Sequence, residues 1–81
     1  MTETPHNRHK ITIYSGEESV ITLGVPKTHS PAQVVLIAQR EMSRIPAATH
    51  AIIRGVNGNT VEIAATDGWI KAQMAAMKLR S

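Results

Sequence analysis

Histidine is the residue type here with the broadest chemistry, because an imidazole can bind a metal or transfer a proton near neutral pH. The chain has four: His6 and His9 in a polar N-terminal segment, His29 before a helix start, and His50 at the opening of a strand pattern. No two of them have the paired helical spacing of metallohydrolases, and the chain has no cysteine. The pattern therefore predicts surface or tail histidines, with no metal and no cofactor.

The carboxylates are equally scattered. Glu17 and Glu18 lie in a turn, Glu41 lies in a helix, Glu62 lies in a strand, and Asp67 lies where its charge suits a helix start. General acid–base catalysis needs such groups brought together, and no motif does so. The glycines form neither a P-loop nor a dinucleotide-binding motif. We therefore predict no catalytic residues and no enzyme activity.

The first half of the chain predicts a β-hairpin followed by a helix. Apolar and polar residues alternate over 10–14 and again over 19–25, with turn residues between them, and Pro26 ends the second strand. Ser30 and Gln33 then have the spacing of a capping box, and Pro31 suits the first helical position. The helix should stop at Pro46.

The second half predicts another hairpin and another helix. Asn57-Gly58 indicates a two-residue turn between strands 49–56 and 59–64, and such a turn places Ile52 opposite Ile63. Thr66 and Asp67 should begin a helix that continues to about Leu79. The element order is β-β-α-β-β-α.

The last helix has two apolar stripes on different sides. One is Ile70, Met74 and Met77, and the other is Trp69, Ala72, Ala76 and Leu79. A small domain with a single sheet can cover one of them. We expect the first stripe to face the sheet and the second to face a partner.

These elements predict a small α+β domain over residues 10–81, preceded by a flexible arm over residues 1–9. Its four-stranded sheet should carry both helices on one face. The expected core consists of Ile11, Ile13, Ile21, Leu23, Val34, Ile37, Met42, Ile52, Val61, Ile63, Ile70 and Met74.

Composition limits the class of protein. The chain has 81 residues, of which 42% are apolar and 19% charged, and its formal net charge is +3. This is too apolar for a disordered chain, and the longest apolar run, Val34 to Ala38, is too short to cross a bilayer. A domain of this size buries a modest core and often depends on a partner. With no signal-peptide pattern, we expect a cytoplasmic protein with no membrane partner.

Residues 10 to 53 resemble the front half of a ubiquitin-like β-grasp in element order and in the sequence VPKTHSPAQVVLIAQREMSRIP. The chain departs from that family at its end, where WIKAQMAAMKLRS predicts a helix in place of a central strand and no Gly-Gly terminus is present. No functional residue carries over. In size and in lacking catalytic motifs, the chain also resembles small phage-encoded inhibitors such as anti-CRISPR proteins.

These observations predict a non-enzymatic binding module, an adaptor or inhibitor that acts through contact with another protein or with a second copy of itself. The partner surface should consist of Trp69, Ala72, Ala76, Leu79 and Leu36. The alternative is a protein that binds the backbone of duplex nucleic acid through Arg40, Arg44, Lys71 and Lys78. The near-absence of aromatic residues argues against stacking on single-stranded bases.

Overall fold

The computed structural model describes residues 8–80 and confirms the predicted α+β fold. Its elements are β1 (Arg8–Ser15), β2 (Glu18–Pro26), α1 (Pro31–Arg44), β3 (His50–Arg54), β4 (Thr60–Ala64) and α2 (Trp69–Arg80). Residues 1–7 of the expected arm, with His6, lie outside the described residues. β1 begins at Arg8 and His9 is buried, so these two residues of the expected arm belong to the sheet.

The four strands form one antiparallel sheet in the order β2-β1-β3-β4. Successive side chains alternate between its two faces, and both helices pack on the same face. The core lies between that face and the helices, with Ile11, Ile13, Ile53 and Ile63 at 0 or 1% exposure. In this strand order β3 lies directly beside β1. The last described element is the helix α2, at the place where the β-grasp family has a strand.

The two ends of α1 are as predicted. Ser30 Oγ accepts from the N–H of Gln33 at 3.3 Å, and Gln33 Oε1 accepts from the N–H of Ser30 at 2.9 Å. The helix ends at Arg44, just before Pro46. Its capping box thus satisfies backbone groups that an isolated helix end would leave unpaired.

The predicted register of the second hairpin is wrong by one residue. Ala51 pairs with Ile63, and Ile53 pairs with Val61, so these four side chains face the helices. Ile52 pairs with Glu62 on the opposite, open face and is only half-buried. The prediction that Ile52 belongs to the core is therefore wrong, because it assigned this side chain to the wrong face of the sheet.

The cause of the register error is the turn. The N–H of Gly58 donates to the carbonyl of Gly55 at 3.0 Å, and Gly58 has φ +91°. Asn57 does not have a positive φ, which a two-residue type I′ turn would require. The loop is therefore longer than two residues, and a one-residue change in register exchanges the two faces of a strand.

β2 lies at an edge of the sheet and is only partly covered. Val25 is buried and Leu23 packs against the core, but Ile21 is 37% exposed. Ile37 of α1 is likewise only partly buried. The prediction of which face of β2 points toward the core is thus confirmed, although Ile21 itself does not belong to the core.

The second helix begins later than predicted. Asp67 Oδ2 accepts from the N–H of Ala64 at 2.8 Å, and the N–H of Asp67 donates to the carbonyl of Ala64 at 3.0 Å. These bonds hold a turn, so α2 starts at Trp69. Within residues 8–80, neither helix is long and apolar enough to cross a membrane.

Candidate binding surface on the second helix

α2 packs inward with its small side chains, the reverse of the predicted orientation. Ala72, Ala75, Ala76 and Leu79 are buried, at 2 to 7% exposure. They contribute to the single core cluster, and the helix packs against α1 and β4. Because alanine has only a methyl side chain, this stripe lets the backbone of α2 approach its neighbours closely.

The large apolar side chains of α2 point to solvent. We call this group the outer face: it consists of the stripe of Ile70, Met74 and Met77, at 69, 55 and 65% exposure, and of Trp69, 74% exposed, at the first position of the helix and about 100° around its axis from the stripe. Side chains of this size have areas of roughly 150–250 Å² each, so the group exposes on the order of 500 Å². The largest apolar patch of a typical monomer is about 300–600 Å² and is often functional. The outer face is therefore a candidate interaction surface.

Basic side chains flank the outer face. At 100° per residue, Lys71 and Lys78 lie along one side of the Ile70–Met74 stripe, and Arg80 lies along the other. Lys71 Nζ is 3.7 Å from Asp67 Oδ1, with the lysine side chain 73% exposed. Such an exposed ion pair contributes little to stability. The surface thus combines an apolar centre with a basic rim.

A groove of about 440 Å³ extends this surface toward the sheet. It lies between β4 and α2, and its lining includes residues 60–62 of β4 with Lys71, Met74 and Lys78 of α2. Among residues 8–80, β4 is an edge strand, so one side of its backbone has no neighbouring strand. An edge of this kind can accept an extended segment from another chain.

The observed packing leaves two of the predicted partner residues exposed and buries the other three. Trp69 and Leu36 are exposed, at 74% and 58%, and remain available to a partner. Ala72, Ala76 and Leu79 are buried against the domain itself. These three side chains are therefore covered within the chain, in contrast to the expectation that they face a partner, and self-association through α2 stays a prediction.

The four basic residues of the nucleic-acid alternative lie on both helices. Lys71 and Lys78 line the groove beside β4. Arg40 and Arg44 are exposed on α1, where Arg44 Nη1 lies 3.4 Å from Glu41 Oε2. α1 and α2 pack against each other. Duplex binding through these four residues stays a prediction.

The histidines do not assemble into a metal centre within the described chain. His50 stacks on Tyr14, with ring centroids 5.0 Å apart and planes at 2°, on the open face of the sheet. The Thr49 hydroxyl lies 2.9 Å from its Nδ1. Residues 8–80 contain no group of three or more histidine, aspartate or glutamate side chains placed to bind one ion.

Sequence reasoning missed Ile70, Met74 and Met77 as surface residues because it ranked the stripes by side-chain size. A signal was present: residues 72, 75, 76 and 79 follow the i, i+3, i+4, i+7 pattern of a helix face that packs on a core. Comparison of the chain with protein-family models, curated proteins and solved structures finds no match.

Proposed function

We propose that this protein is a non-enzymatic binding module of the adaptor or inhibitor type, whose outer face on α2 docks another protein. The observation that carries the proposal is the orientation of α2, with its alanines inside and its largest apolar side chains outside. Folding of the single chain leaves Trp69, Ile70 and Met74 more than half exposed to water, and a partner surface would cover them.

The apolar area of the outer face determines how much free energy a partner could contribute by covering it. Covering about 500 Å² of apolar surface at about 25 cal/mol per Å² contributes on the order of 12 kcal/mol before the costs of association. Those costs include lost translational and rotational freedom and side-chain ordering, and they consume much of the gain. Specific interfaces bury about 800 Å² on each partner, so the outer face supplies their apolar centre and the groove beside β4 supplies additional contact area.

Charge indicates the chemistry of the partner. The rim of Lys71, Lys78 and Arg80 would face itself if two copies paired through their outer faces, and like charges oppose such pairing. A partner with an apolar ridge flanked by carboxylates would complement the surface. We therefore propose an acidic protein segment as the occupant, and a second copy of this chain becomes an outcome of the test.

The experiment is affinity capture from cells of the source organism, followed by titration with the purified captured protein. The test variant is Met74→Glu, which introduces a charge at the centre of the outer face. The matched control is Val20→Glu, because Val20 is 48% exposed and lies on β2, at the opposite edge of the sheet. Leu36→Glu shows whether α1 contributes to the same surface.

The proposal predicts one protein whose affinity falls at least about tenfold with Met74→Glu and less than about twofold with Val20→Glu. Addition of salt should weaken binding moderately, because the rim contacts are exposed. Equal capture by all variants would contradict the proposal. So would sedimentation of the wild type as a dimer that Met74→Glu dissociates, or binding to anionic vesicles alone.

A further inference from the structure

A small basic cavity lies at the end of the sheet where five parts of the chain converge. An open cavity of about 260 Å³ is lined there by the start of β1, the segment between β2 and α1, the start of α1, the β3–β4 loop and the end of α2. A water molecule occupies about 30 Å³ in the liquid, so the space is large enough for a polyatomic ion. Its polar lining includes His9, Lys27, His29 and Arg80.

His9 is the unusual member of this lining. Its side chain points to the covered face of β1 and is only 4% exposed, yet neither Nδ1 nor Nε2 has a hydrogen-bond partner within the described chain. Nδ1 of His29 is also buried without a partner. Leaving a buried polar group unsatisfied costs about 1–3 kcal/mol. The accessible surface of each of these nitrogens is below 1 Å², so a ligand in the cavity would remove this cost only by a turn of the rings toward it on binding.

The charge of the surroundings selects the kind of ligand. Lys27 and Arg80 carry cations into the lining, and no carboxylate from residues 8–80 lines it. A neutral imidazole offers one N–H donor and a protonated imidazole offers two, whereas lysine and arginine only donate. Four donor side chains without a carboxylate suit an oxyanion and oppose a metal cation.

The opposite face of the sheet at the same end is also basic. Lys10 is the cross-strand neighbour of Arg54 on the open face of the sheet, and Arg8 lies over Gly24, with its Cδ 3.2 Å from where a Cβ would stand. Glu17 and Glu18 lie at the far end of β1. These cations do not line the cavity, but they add to the long-range attraction of anions toward this end of the described chain.

We propose that the cavity is a binding site for a phosphate group, held by His9 and His29 with Lys27 and Arg80. Apart from Arg80, which also belongs to the rim of the outer face, the inference rests on residues that the proposed function does not use, so Lys27→Gln tests it separately from docking on the outer face. The phosphate could belong to a small molecule or to a nucleic-acid backbone, and the two sources share the chemistry that these side chains recognise.

The direct test is titration of the folded protein with inorganic phosphate, followed by NMR of the histidine ring nuclei. His9 and His29 ring signals should shift saturably, whereas those of His50 on the open face should not. Lys27→Gln and Arg80→Gln each remove one cation from exposed side chains and leave the core intact. Lys71→Gln and Arg40→Gln are their matched controls outside the cavity.

Phosphate affinity should fall about tenfold or more in each cavity variant, as expected for loss of a charge-assisted hydrogen bond, and should change less than about twofold in each control. Sulfate should compete.

Two further titrations distinguish the sources of the phosphate. A nucleoside monophosphate that binds more tightly than a single-stranded oligonucleotide without a terminal phosphate identifies a small-molecule site, and the reverse order identifies a backbone contact. Absence of saturable shifts at His9 and His29 would overturn the proposal. So would equal losses in cavity and control variants, or saturation by Zn²⁺ in preference to phosphate.

Discussion

A glutamate placed at two positions of α2 tests the orientation of that helix. Ala76 is 5% exposed and Met74 is 55% exposed, although they lie only two residues apart. Ala76→Glu would bury a carboxylate without a partner, which costs several kcal/mol, and would also overpack the contact around it. Met74→Glu places the same carboxylate in water, beside a basic rim.

The size of the domain turns this difference into a clear result. Stability of about 0.05–0.15 kcal/mol per residue gives a chain of this length roughly 4–12 kcal/mol. A penalty of several kcal/mol therefore removes much or all of the folded population in Ala76→Glu. Exposed substitutions usually change stability by about 0.5 kcal/mol or less, so Met74→Glu should unfold close to the wild type.

Urea unfolding followed by far-ultraviolet circular dichroism is the suitable assay. Trp69 is the only tryptophan and is 74% exposed, so its fluorescence should change little when the domain unfolds. A wild-type midpoint for Ala76→Glu, together with a large loss for Met74→Glu, would refute this orientation of α2. It would support the opposite arrangement, in which the larger stripe faces the sheet.

The remaining predictions concern the elements that hold α2 in place. Ile53→Ala should lower the free energy of unfolding by about 2–5 kcal/mol and Ile52→Ala by about 1 kcal/mol or less, and equal losses in denaturant titrations would contradict the observed register. Gly58→Ala should cost about 1–2 kcal/mol because φ is positive there, and an unchanged melting temperature would argue for a different loop. Asp67→Ala should cost about 1–2 kcal/mol by chemical denaturation through loss of its bond to the Ala64 N–H, and Asp67→Asn should retain part of that stability.

Local signals in the sequence were sufficient for the element order and for α1. The capping box of Ser30 and Gln33 and the stop at Pro46 depend on residues within one or two turns, and each appears where it was predicted. The Asn57-Gly58 pair also marked the second hairpin correctly. The length of that loop, however, is decided by how Ala51 and Ile53 pack under the helices, which is a tertiary effect.

The candidate site was less predictable because α2 is apolar on opposite sides. Hydrophobicity alone favours burying isoleucine and methionine, and it assigned Ile70 and Met74 to the core. The structure instead buries alanines, which pack between α1 and β4 where larger side chains would hold the helix away. The same reasoning placed His9 in an arm, because one histidine next to a polar segment carries no signal of burial.

Site-specific photo-crosslinking in cells of the source organism shows directly whether the outer face of α2 contacts another protein. A photoreactive amino acid replaces Met74 in one strain and Val20, at the opposite edge of the sheet, in another. We expect a single protein adduct of defined mass from position 74. This adduct should be absent from position 20 and suppressed when Ile70→Glu is added. No adduct at position 74, or the same adducts from both positions, would contradict the assignment of the outer face as a protein-binding surface.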